Sequence, residues 1–148
     1  MNKRSIWFYG SLVVLILTII LLVSGSSILT IPLDKNNSIP LGTFITWAGI
    51  ISFPTAVYTG IKDLRSPLGA FYKYLSYILK GLLILAILWV PICYLLAGNI
   101  SFSFAEKESF QGGQLAMKWF WRLSYGIGIG SMAIVIIHWV LILVKKKR

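Results

Sequence analysis

The side chains with the widest chemical repertoire are few in this chain and far apart. It has one histidine, His138, one cysteine, Cys93, and four acids, Asp34, Asp63, Glu106 and Glu108. General acid–base catalysis needs titratable groups within reach of one reacting atom. A zinc site needs three or four Cys, His or carboxylate ligands, which one His and one Cys cannot start within a single chain. Hard cations need clustered oxygen ligands, and ligation of haem by two histidines would need a second chain. The expectation is therefore no cofactor, no metal and no enzymatic activity.

Two stretches still hold suggestive chemistry. In "MKWFWR", Lys118 and Arg122 lie one turn apart and flank Trp119 and Trp121. Such a cluster can grip an anionic headgroup or a partner's acidic loop, and its simpler role is an interfacial anchor. In "SYGIGIGSMAIVIIHWVLILVKKKR", stepping back from His138 by sevens reaches Ser131 and Ser124, which share a helical face with Gly128 close by. A neighbouring stripe holds Gly126, Gly130 and Ala133, the small-residue spacing that lets helices approach closely in lipid. The face is expected to turn toward other helices. His138 is then expected to hydrogen-bond a carbonyl or hydroxyl of one of them. The glycines of "GIGIG" follow no strand, so they make a packing surface and not a phosphate loop.

The elements that position these residues follow from composition. The 148 residues are 57% hydrophobic and 12% charged, against about 25% charged in soluble domains. A water-soluble fold of this size cannot hide so much apolar surface, so lipid is the expected solvent. Crossing hydrocarbon takes about 20 apolar residues, and four runs qualify, at about 5–24, 41–61, 75–97 and 119–144. The first is longer than the apolar core of a signal peptide and is expected to be a retained helix. The four fill one domain.

The second run is the most polar. Ala48, Ser52, Thr55, Ala56 and Thr59 recur at steps of three and four, so this helix is expected inside the protein. Pro54 and Pro91 each free a carbonyl four residues earlier. Before the third run, Ser66 and Pro67 give a helix-start signal, expected to begin a helix along the interface. Lys73 and Lys80 share one face of it and can snorkel, and Tyr72, Tyr74 and Tyr77 suit the same zone.

Ten of the fourteen Lys and Arg fall on one side of these runs, with both termini, and four on the other. The positive-inside tendency makes the ten-residue side cytoplasmic. Trp7 and Trp139 then fall at the inner interface, and Trp47, Trp119 and Trp121 at the outer one. On the outer side, Asn36 and Asn99 head glycosylation patterns, and Ile100, Phe102 and Phe104 alternate like a strand. The net charge of +10 flanks apolar runs and so points to membrane insertion, not to nucleic acid.

The expected fold is an all-α integral membrane protein, a four-transmembrane-helix bundle with both termini cytoplasmic and the third helix extended by an interfacial N-terminal segment. The plasma (inner) membrane is its expected place. Acids are absent from the spans, which weighs against ion-coupled transport. What remains is a non-catalytic protein acting through helix–helix contacts with lipids, with another membrane protein or with itself. The layout resembles that of immunity proteins against pore-forming bacteriocins, and equally that of membrane subunits of phage-defence systems. The alternative is a small oligomeric channel or transporter for a neutral or anionic permeant, using the hydroxyl-bearing second helix and His138.

Overall fold

The computed structural model describes residues 2–33, 40–97 and 113–146; of these, the side chains of 97, 113–118, 120, 121 and 146 are not described. The regular elements among the described residues are helical: α1 (Lys3–Val23), a 3-10 turn (Ser27–Thr30), α2 (Leu41–Gly60), a short α3 (Lys62–Arg65), α4 (Ala70–Ile87), α5 (Trp89–Ala97) and α6 (Gly113–Lys146). Four of them, α1, α2, α4 and α6, are long and apolar enough to cross a membrane. The expected glycosylation patterns and the strand-like alternation lie outside the described residues.

Helix α1 is an unbroken apolar run in which Thr18 alone is buried. A helix that is apolar on every side has no reason to face water with any of them. It stops at Gly25, whose φ of 58° is the left-handed conformation glycine adopts freely. Ser26 N–H donates to Leu21 O and Gly25 N–H to Leu22 O, so the last carbonyls are satisfied in the Schellman arrangement. The chain then turns through the 3-10 segment, with Leu29 buried, and Leu41 N–H donates to Ile31 O to tie the connection.

Helix α2 packs along α1 and also meets α4 and α6. It carries the most burial of the four, including Gly42, Thr43, Gly49, Ser52, Pro54, Ala56 and Val57. Its small residues allow this. A methyl group built on Gly49 would lie 2.8 Å from Thr18 Cβ and Oγ1, and one on Gly60 would lie 2.7 Å from the Phe8 ring. Glycine at both positions is what brings α1 so close. Pro54 stays inside the helix without ending it.

The loop after α2 departs from expectation. Ser66 does not start a helix. It ends α3, with its N–H donating to Lys62 O, and α4 begins at Ala70 after Gly69. Pro67 accounts for the end of α3 at Ser66, because its ring disfavours a helical conformation at the residue before it; the next helix is capped at Gly69 instead. Leu64 of α3 is fully buried and holds this corner to the core.

The third apolar run is also not one helix. It breaks at Leu88 into α4 and α5. Pro91 supplies the cause, since it has no N–H for the carbonyl of Ile87. Helix α6 runs for 34 residues, about 50 Å at 1.5 Å per residue, well beyond the ~30 Å of hydrocarbon. Two apolar clusters form the core. One joins Val57, Leu64, Tyr72, Leu75, Leu79 and Ile134; the other joins Ala86, Trp89, Val90, Cys93 and Ile127.

Candidate functional site

His138 lies on α6 and faces α4. Its Nδ1 is 3.1 Å from the hydroxyl of Tyr72. With the imidazole proton on Nε2, the phenol donates and Nδ1 accepts. The rings meet edge-to-face, with centroids 5.8 Å apart and planes at 72°. Lys145, two turns along α6, sits 5.5 Å from the Tyr72 ring centroid. Tyr72 is buried, whereas Tyr74 and Tyr77 are exposed. A phenol–imidazole pair can pass a proton, yet a relay needs a further donor or acceptor in line. None of the described carboxylates lies in the four long helices, and no three His, Cys, Asp or Glu side chains gather among the described residues.

Several other polar side chains make bonds of the same kind between helices. Trp89 Nε1 donates to Ser124 Oγ at 2.9 Å, joining α5 to α6. Thr18 Oγ1 donates to Ile45 O at 3.3 Å, joining α1 to α2. Trp47 Nε1 donates to Ala86 O at 3.0 Å and to Ile87 O at 3.2 Å. The second of these is the carbonyl that Pro91 leaves without its helical partner. Trp47 thus belongs to the packing of α2 on the α4–α5 break.

The small-residue faces divide. Gly130 faces Leu82 of α4, where an added methyl would lie 2.9 Å from Leu82 Cδ1, and Ser131 is fully buried with no partner for its hydroxyl. Gly128 is half-buried in an opening toward α1 and α2. Gly126 is the exception. It is exposed, and a methyl there would touch nothing, so within this chain it is not a packing residue. At about 100° per residue Gly126 lies only about 40° from Gly130, but on the side away from Ser131, which takes it from the edge of the buried face to the exposed flank. On α2, Ser52 is buried, while Thr55 and Thr59 are half-buried and bond back to Ile51 O and Thr55 O of their own helix, both at 2.7 Å. Such back-bonding satisfies a hydroxyl without a neighbour.

Among the basic residues, Lys80 lies 5.9 Å from the Tyr58 ring centroid and 5.8 Å from that of Tyr77. Arg122 lies 5.6 Å from the Trp119 ring centroid. Lys73 is exposed on the first turn of α4. Lys118 and Trp121 are in α6, with side chains outside the described set.

Two openings run along the seam between α1 and α6, floored by α2. One, of about 410 Å³, is lined by Phe8 and Leu12 of α1, Phe53 and Ala56 of α2, and His138 and Trp139 of α6. The other, of about 220 Å³, lies farther along the same seam beside Thr18, Gly49 and Ser124, with the buried, unpartnered Thr46 hydroxyl on its wall. They share Leu15 and Phe53. Sequence reasoning missed this seam because α1 reads as a featureless apolar run. The signal that could have found it is Gly49, Ala56 and Gly60 on α2, a small-residue series wide enough to seat a neighbouring helix. No protein-family model matches the chain, and no curated protein or solved structure matches it.

Proposed function

We propose that the chain is an integral protein of the plasma membrane, a bundle of four spanning helices with both termini cytoplasmic. In this reading it works without catalysis, through helix–helix contacts in the bilayer, as a subunit of a membrane complex or as a protective protein of the immunity type. One observation carries it. Five polar side chains of the helices, His138, Tyr72, Trp89, Ser124 and Trp47, are bonded to one another or to backbone between helices. Interhelical bonds of this sort contribute about 0.6 kcal/mol each on average in a membrane. Their gain is a fixed arrangement of helices, which is what a contact surface needs.

The channel alternative needs a polar path through the protein. The seam beside His138 is lined almost wholly by apolar side chains, which favours the contact reading. The test is reconstitution of the purified chain into liposomes, with ion and solute flux followed directly. The expected trace equals that of empty vesicles. Robust flux that disappears in His138→Ala would overturn the contact reading and establish the channel.

A further inference from the structure

The seam between α1 and α6 is more than an irregular lipid-facing surface, because its chemistry changes along its length. Helix α1 packs along α2 and not along α6, which leaves the cleft of about 410 Å³ open between them. That volume lies within the range of about 300–1,000 Å³ typical of small-molecule sites. Its walls offer a hydrocarbon chain contact on three sides, from Leu12, Phe53, Val135 and Ile142 among others.

Each wall then ends in an exposed cation. Arg4 lies one turn before Phe8 on the same face of α1. Lys62 follows directly on Ile61 at the end of α2. Lys145 lies one turn beyond Ile142 on α6, exposed, with its ammonium also 5.5 Å from the Tyr72 ring centroid. Asp63, next to Lys62, is the only carboxylate among the described residues and offsets one of these cations, so this end of the molecule still holds a net positive charge over the mouth of an apolar cleft. A ligand that matches both features carries a long acyl chain below and an anionic group above, joined at the depth of the headgroup layer.

We propose that the cleft is a binding site for one anionic phospholipid of the adjoining leaflet. Its acyl chain lies between α1 and α6 on the floor of α2, and its phosphate is met by Arg4, Lys62 and Lys145. The inference does not depend on the contact function. The second opening on the seam lacks this cationic rim: Arg122 is the one described cation near Ser124 in the chain, whereas Arg4, Lys62 and Lys145 all fall beyond the other opening.

The test is native mass spectrometry of the full chain released from detergent containing equal amounts of phosphatidylglycerol and phosphatidylcholine. One retained phosphatidylglycerol is expected, favoured by at least about fivefold, the factor that a single basic residue supplies near an anionic headgroup. Leu12→Trp fills the cleft and should abolish the adduct. Ile142→Trp, at an exposed wall position, should do the same if the first variant fails to fold, as judged by circular dichroism. The triple change Arg4→Gln, Lys62→Gln and Lys145→Gln should bring the two lipids to equal retention, whereas Arg122→Gln should leave the preference intact. Equal retention of both lipids by the unaltered chain overturns the site. So does an undiminished adduct in a folded cleft-filling variant. A lipid-free dimer that the cleft-filling variants prevent would give the cleft to a second copy instead, and would equally overturn it.

Discussion

Replacing Gly49 by alanine sets two known effects against each other at the α1–α2 crossing. Alanine in place of glycine within a helix is favourable by up to about 1 kcal/mol. At Gly49, however, the added methyl would lie 2.8 Å from Thr18 Cβ and Oγ1. Thr18 has little room to yield, because it is 5% exposed and its hydroxyl is bonded to Ile45 O. Forcing a methyl into such a contact costs about 1–3 kcal/mol through backbone shift and strained rotamers. The net expectation for Gly49→Ala is thus a loss of up to about 2 kcal/mol. Gly10→Ala is the control, since a methyl there meets nothing within 4 Å and α1 is equally helical. The difference between the two variants removes the propensity term and leaves the clash, about 1–3 kcal/mol. Reversible denaturation in mixed micelles, followed by circular dichroism, measures both. If Gly49→Ala is as stable as Gly10→Ala, α1 does not lie as close to α2 as described and the account of the seam fails with it.

Other outcomes follow from the contacts between helices. Tyr72→Phe and His138→Ala should each destabilise the chain, with a coupling between them of about 0.6 kcal/mol and no more than about 1.7 in a double-mutant cycle; additive losses would mean the pair is not bonded. Trp47→Phe leaves the Ile87 carbonyl without its donor and should cost about 1–3 kcal/mol in the same denaturation assay. Gly130→Leu should destabilise the isolated chain by about 1–3 kcal/mol, while Gly126→Leu should leave it unchanged. Any effect of Gly126→Leu on complex size in native membranes then reports contact with another chain. Cysteines placed at Ser27 and Lys62 should react with an impermeant maleimide from opposite sides of the membrane, which labelling of intact and opened vesicles reads directly.

The spanning helices were legible in the sequence because the signal is thermodynamic and continuous: a long apolar run bounded by cations suits a bilayer and little else. His138 was legible for a related reason, as an imidazole among isoleucines needs a partner and only another helix can provide one. What the sequence hid were choices between neighbouring faces. Gly126 and Gly130 have the same spacing signature, yet one opens outward and the other meets Leu82, and periodicity alone does not say which way a uniformly apolar helix is turned. Ser66 and Pro67 carried a helix-start signal, yet Ser66 closes α3 and the next helix starts three residues beyond Pro67, at Ala70. Gly49 and Gly60 went unnoticed because their importance lies in Thr18 and Phe8, far away in the chain.

Trp47 carries a consequence for how the molecule can move. A proline break ordinarily gives the two segments beside it freedom to swivel, because one backbone bond is gone. Here the vacated oxygen is held by an indole belonging to a different helix, and in the bilayer proposed above no water would replace that donor. Any swing of α5 about Leu88 must either carry α2 along or break this bond, so the nine-residue segment and the central helix shift together for as long as the indole keeps its acceptor.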